Sequence, residues 1–224
     1  MDEIVALVVD RLKKQGVNPS ADVISRALAG VAPAVQVRRR GVFDDVDSAV
    51  AAARRAYEQY EQMPMETRHA VVRAMRQAAM GALEEMCQRA VRETSLGRVE
   101  DKRQKNRAAI QKTPGPEFLE PIASSGDDGL MVTERAPYGV IASITPCTNP
   151  TETIINNGIG MVAGGNAVVF NTHPLARETS AWYVSLLCDA IVSAGGPENL
   201  LCCIARPTIE RQALMTHRAC ASWW

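Results

Sequence analysis

The sequence predicts an α/β protein: a helical N-terminal portion followed by strands and helices that alternate into a parallel sheet. Three observations carry this. The first half shows apolar residues at three- and four-residue steps over long stretches; the second half alternates short apolar runs with helical stretches across brief connections; and a chain of 224 residues, 46% of them hydrophobic, can bury a core without disulfides or a structural metal.

In residues 2–15, Ile4, Val5, Val8, Val9 and Leu12 form one helical stripe, with acids at the start and Lys13 and Lys14 near the end, as the helix dipole favours. Residues 19–40 carry Pro19, Gly30 and Pro33 without a sustained period and read as a linker ending in Arg38, Arg39 and Arg40, a solvated basic run. A short amphipathic helix on a tether has no core of its own and must dock on something, either its own domain or a partner.

Asp44 or Asp45 caps the next helix, which turns Ala49, Ala52, Ala53, Ala56 and Tyr60 inward and stops before Pro64. One further helix is expected from Glu66 to Thr94, with Val72, Met75, Ala79, Leu83, Met86 and Ala90 as its stripe and Gly97 as its end. A polar helix follows and is stopped by Pro114 and Gly115. Leu130–Arg135 and Tyr138–Pro146 then read as strands around a turn at Ala136 and Pro137. A helix from Pro150 to Val162, a strand Ala167–Phe170, a helix over 175–194, a strand through Cys202 and Cys203 and a last helix from Pro207 complete the series. Such an order implies a parallel sheet with helices packed on it.

Formal net charge is zero, 25 basic against 25 acidic residues, which argues against nucleic acid as a partner. No apolar run approaches the roughly 20 residues that cross a bilayer, and Asp2 and Glu3 stand where a secretory signal is basic, so a soluble intracellular chain is expected. The six cysteines form no CxxC pair and read as reduced thiols, with no metal site.

Gly158, Gly160 and Ala163 fit the dinucleotide fingerprint G-x-G-x-x-G/A by spacing. That loop must follow a strand and open a helix, whereas these residues follow a helical stretch and precede a strand; they read as small residues for close helix packing. The stronger signal is a pair of strand ends. One runs Ile144, Thr145, Pro146, Cys147, Thr148, Asn149 into a helix at Pro150, and the other runs Asn171, Thr172, His173, Pro174 into the next helix. Carboxyl ends of neighbouring parallel strands border the ligand crevice, so these turns would line a site with hydroxyls, amides and a helix N-terminus.

Through the blocks RETSLGRVEDKRQKN, TPGPEFL, GDDGLMVTERAPYGVIASITPCTNPTETIINN, AGGNAVVFNTHP and AGGPENLL, residues 41–217 resemble the N-terminal half of CoA-acylating aldehyde dehydrogenases of the ethanolamine- and propanediol-utilisation type. The resemblance implies a partial Rossmann-like NAD-binding domain of the aldehyde dehydrogenase fold. It also implies NAD as cofactor, coenzyme A as co-substrate, and oxidation of acetaldehyde or propionaldehyde to acyl-CoA through a cysteine thioester, in a homo-oligomer. Residues 1–18 resemble the peptide that directs such enzymes to shell or cargo proteins of a cytoplasmic bacterial microcompartment. By position, Ile144, Thr145 and Pro146 would lie beside the nicotinamide. Thr148 or Asn149 would meet the oxyanion, and Asn171 would stand where relatives outside the acylating branch place a ribose-binding lysine. His173 and Pro174 complete that wall.

The family's nucleophile lies on a loop of a second domain, and no evident base accompanies Cys147. The resemblance ends at His217. One base deleted from a coding stretch for Pro-Gly-Val-Arg-Leu-Leu-Val-Val-Thr yields the sequence of residues 218–224 followed by a stop. Those residues are therefore expected to be a frameshifted tail that leaves a sheet edge uncovered, and the chain to be catalytically inactive. Two other classes compete: a non-catalytic microcompartment-docking cargo, and a hydrolytic aldehyde dehydrogenase that uses water in place of CoA.

Overall fold

The computed structural model describes residues 39–207 and 209–223. The docking helix expected at 1–18 and nearly all of the linker at 19–40 lie outside the described residues. Helix α1 (Val46–Glu61) begins at Asp45, whose carboxylate accepts from the Ser48 N–H at 2.8 Å. Its five expected inward residues, Ala49, Ala52, Ala53, Ala56 and Tyr60, are all buried.

The single helix expected from Glu66 to Thr94 is two, α2 (Met65–Gly81) and α3 (Leu83–Thr94). They part at Ala82 (φ −96°, ψ 9°), directly after Gly81, a poor helix former. The apolar stripe runs across the break, and all six of its expected members are buried. Helix α3 ends in a left-handed Ser95 (φ 55°), two residues before the glycine expected to stop it. Helix α4 (Val99–Lys112) turns Lys102, Asn106 and Ile110 inward. Arg76 of α2 closes its end by donating to the carbonyls of Ile110 and Thr113.

Strands β2 (Ile122–Gly126) and β3 (Gly129–Thr133) form a separate antiparallel hairpin, exposed along its whole length. The sequence reading placed the Leu130 strand around a turn with the Tyr138 strand. The two-residue turn Asp127–Asp128, followed by Gly129 at φ 131°, instead pairs β3 with the segment before it.

The central sheet is parallel, in the order β1 (Val42–Phe43), β6 (Leu201–Ile204), β5 (Ala167–Asn171), β4 (Val140–Ile144), β7 (Cys220–Trp223). Helices α5 (Pro150–Ala163) and α6 (Arg177–Ser193) make the crossovers from β4 to β5 and from β5 to β6 on one face, where α2, α3 and α4 pack on them; α1 covers the other face. Strands buried on both faces read as unbroken apolar runs, as Val140–Ala142 and Leu201–Ile204 do. The last helix expected from Pro207 is a 3-10 segment, Ile209–Thr216.

Strand β7 corrects the expectation of an uncovered edge. It pairs with β4, Val140 opposite Cys220 through Ser143 opposite Trp223. The outer edge of β4 presents a row of backbone donors and acceptors that an extended segment can satisfy. Arg39 and Arg40 of the basic run lie at the surface, as expected, in exposed ion pairs: Arg39 meets Glu178 at 3.3 Å, and Arg40 meets Asp189 at 2.6 Å and Glu198 at 3.0 Å.

Candidate functional site

Strands β4, β5 and β6 are laid down in one direction, and β7 returns to the far side of β4, so the strand order reverses between β4 and β7. The crevice of an open parallel sheet forms at the carboxyl ends of the strands that flank such a reversal. The turn after β4 is therefore one wall of that crevice.

The turn after β5 is its neighbour. Register pairs Ile144 with Asn171, and the Thr145 N–H donates to the Asn171 carbonyl at 3.1 Å. The structure thus brings both proline-bearing turns side by side, with Ile144, Pro146, Thr148 and Pro174 exposed and Asn149, Asn171 and His173 half-buried. Thr145 and Thr172 are buried, and each hydroxyl lacks a hydrogen-bond partner among the described residues. Two orphaned hydroxyls on adjacent turns favour a polar ligand nearby.

Helix α5 starts directly from the first turn. Asn149 is its cap residue yet makes no side-chain capping bond, and Pro150 at the first position needs no partner for a missing N–H. The helix start, with its partial positive charge, is aimed at the crevice. In the second turn His173 accepts the Leu175 N–H on Nδ1 at 3.1 Å. Glu93 of α3 then caps α6, accepting from Glu178 N–H at 2.9 Å and Thr179 N–H at 2.7 Å.

The fingerprint-like glycines lie inside α5. A methyl at Gly158 would meet Met75 Cε at 3.3 Å, whereas one at Gly160 would meet nothing within 4 Å. Close packing therefore accounts for Gly158 alone. Lys102 and Glu152, absent from the sequence reading, are buried directly behind the first turn, Lys102 donating to the Thr148 carbonyl. The only hint in the sequence was the four-residue spacing of Lys102, Asn106 and Ile110 inside an otherwise charged helix. A recess of about 340 Å³ at the β2–β3 turn is made by Ser124–Met131 and shares no residue with the crevice.

Four thiols are fully buried, and burial is the leading cause of their raised pKa values: Cys87 is pushed to about 11, Cys203 to about 12, and Cys188 and Cys202 are likewise pushed up. None of these is a thiolate at neutral pH, the form that attacks carbonyls.

A parallel sheet with a reversal of strand order and two polar turns at its carboxyl edge defines a Rossmann-like α/β domain. Residues 20–222 match the Aldehyde dehydrogenase family, and the chain belongs to that family. It is 48% identical over 178 residues to the acetaldehyde dehydrogenase (acetylating) EutE of Salmonella typhimurium, covering 80% of this chain and 38% of the relative. An engineered glycolyl-CoA reductase solved with NADP+ bound superposes with a TM-score of 0.77 at 45% identity, over 80% of this chain and 42% of that one. A propionaldehyde dehydrogenase from the fucose utilisation microcompartment of Clostridium phytofermentans gives 0.77 at 44% identity, over 81% and 42%. The chain spans about two fifths of the length of the relatives it matches.

Proposed function

We propose that this chain supplies the nicotinamide-dinucleotide-binding portion of a CoA-acylating aldehyde dehydrogenase acting on a short aldehyde. The observation that carries the reading is the Thr145–Asn171 backbone hydrogen bond, which makes two polar turns adjoining walls of one crevice. In this reading Ile144, Thr145 and Pro146 border the nicotinamide end, and Thr148 or Asn149 offers a donor to the oxyanion. Asn171, His173 and Pro174 border the adenosine end. When bound, NAD would supply the hydride acceptor and CoA the thiol that takes over the acyl group as acyl-CoA.

The neutral, short Asn171 side chain provides no cation for a 2′-phosphate, which favours NAD over NADP in this chain. The reacting thiol is assigned to none of the four buried cysteines. Cys147 sits within the first turn itself, and by resemblance the thiol belongs to a loop of a second domain. The microcompartment origin of one structural relative supports residues 1–18 as a segment that docks on shell or cargo proteins, and a fluorescent protein carrying those residues would then enter a microcompartment.

The direct test is a titration of the purified chain with NADH and, separately, NADPH, followed by nucleotide fluorescence. Saturable binding with NADH the tighter ligand is expected, and Asn171→Ala should weaken it. Absence of saturable binding at millimolar nucleotide would end the proposal.

A further inference from the structure

We propose that Lys102 is a positioning residue, which holds the Thr145–Asn149 turn in its binding shape from the buried face of α4. This rests on the dinucleotide-binding reading of that turn. Lys102 is 3% exposed, and its ammonium donates to the Thr148 carbonyl, 46 residues on. It stands 3.6 Å from Oε1 of Glu152 in the first turn of α5, an atom with no hydrogen-bond partner among the described residues. The other oxygen, Oε2, accepts from the Thr151 hydroxyl at 3.1 Å. One turn along α4, Asn106 donates to the Lys102 carbonyl at 2.9 Å and fixes the local backbone.

The turn has few means of holding itself. Pro146 and Pro150 contribute no N–H, and its ends are tied by Thr145 N–H to Asn171 and by Thr153 N–H to the Asn149 carbonyl. Between these ties the Thr148 peptide is free to rotate unless something grips its carbonyl, and such a rotation would re-aim both Thr148 and Asn149. A buried ammonium is a poor device for stability alone, since an apolar side chain of similar size often does as well. It suits a clamp, because a single group reaches both the turn carbonyl and the acid at the helix start.

The competing account is that Lys102 only neutralises Glu152. Three variants of the full chain separate the two: Lys102→Met, Glu152→Gln and the double variant. Each is read by thermal melting, by hydrogen exchange of peptides covering residues 145–153, and by NADH affinity. Lys102→Met should lower the melting temperature by leaving Glu152 unpaired, and the double variant should recover it. Faster exchange at the turn should persist in both, with the NADH dissociation constant raised about ten- to hundredfold, the usual effect of losing support behind a site. Glu152→Gln alone, which retains the Lys102–Thr148 bond, should keep turn protection and affinity. Wild-type protection and affinity in the double variant, or their loss in Glu152→Gln alone, would overturn the proposal. Failure of the wild-type chain to bind NADH would remove the nucleotide reading, and the exchange data would still decide whether Lys102 orders the turn.

Discussion

The Glu93 carboxylate accepts the Thr179 N–H at 2.7 Å, so the end of α3 caps the start of α6 across 86 residues of chain. Its second oxygen takes the Glu178 N–H at 2.9 Å. Helix α6 receives the chain from the Asn171–Pro174 turn, so this cap fixes the direction in which the second wall of the crevice leaves the sheet. Glu93→Ala should cost about 0.5–2 kcal/mol, the range for loss of a helix N-cap. A urea melt should show this as a lower midpoint with unchanged slope, and an unchanged midpoint would deny the cap its role.

Asn166 is a buried bracket of the same kind. Its carbonyl oxygen accepts from Tyr138 N–H at 2.6 Å and Gly139 N–H at 3.1 Å, and its amide donates to the Met161 carbonyl at 3.0 Å. It thereby joins the entry of β4 to the end of α5. Asn166→Ala strands two donors, the Tyr138 and Gly139 N–H groups, while the Met161 carbonyl keeps the Asn166 backbone N–H at 3.0 Å; a donor left unpaired in the interior costs about 1–3 kcal/mol. We expect the substitution to take a large share of the total stability, read by calorimetry. Asn166→Asp, which keeps the acceptor and loses the donor, should cost less.

The glycines of α5 give opposite predictions. Gly160→Ala meets open space and should stabilise by about 0.5–1 kcal/mol, the ordinary gain from replacing a helical glycine. Gly158→Ala must move Met75 Cε by a few tenths of an ångström, so its gain should be smaller or reversed. Neither should alter NADH affinity, because neither glycine belongs to a phosphate loop. A selective loss of nucleotide binding in either would reinstate the fingerprint.

Gly41→Ala is expected to be severe. The backbone there has φ +76°, and a methyl would fall 2.6 Å from both the Leu201 carbonyl oxygen and Cys188 Sγ. The left-handed conformation and the overpacking together should cost about 2–5 kcal/mol. A melting temperature within a degree or two of the parent would refute the close approach of β1 to β6.

Alkaline pH should unfold the protein through its thiols. Burial raises Cys203 from 9.0 to about 12 and Cys87 and Cys220 from 9.0 to about 11. A group whose folded pKa is raised contributes stability that is complete below its unfolded value and is lost as pH rises through its folded one. The urea midpoint should therefore hold to about pH 9 and fall between pH 9 and about 12. A thiol reagent at pH 8 should label Cys147 well before the four buried cysteines, which should react only on unfolding.

Much of this architecture is visible in local pattern. The Asp45 cap, the α1 face from Ala49 to Tyr60 and the stripe from Val72 to Ala90 follow from capping chemistry and helical period, which act over a few residues. The two proline-bearing strand ends were legible for the same reason: apolar run, polar turn and helix start are contiguous. The break at Ala82 escaped because the stripe is continuous across it. Strand β2 escaped because Ile122–Gly126 is short, polar and exposed, so no alternation marks it. Lys102 read as one charge among many in α4, since burial of a lysine shows only when its partners at 148 and 152 are in view.

The sequence by itself determined most of the long helices and the buried strands, and that two polar turns follow apolar strands. Only the tertiary structure decided that these turns touch through Thr145 and Asn171, that Cys220–Trp223 completes the edge of β4, and that a buried ammonium lies behind the first turn. The physical reason is range. Period, caps and turns are set by neighbours along the chain, whereas strand order and a buried ion pair depend on groups tens of residues apart that meet only when the whole core closes.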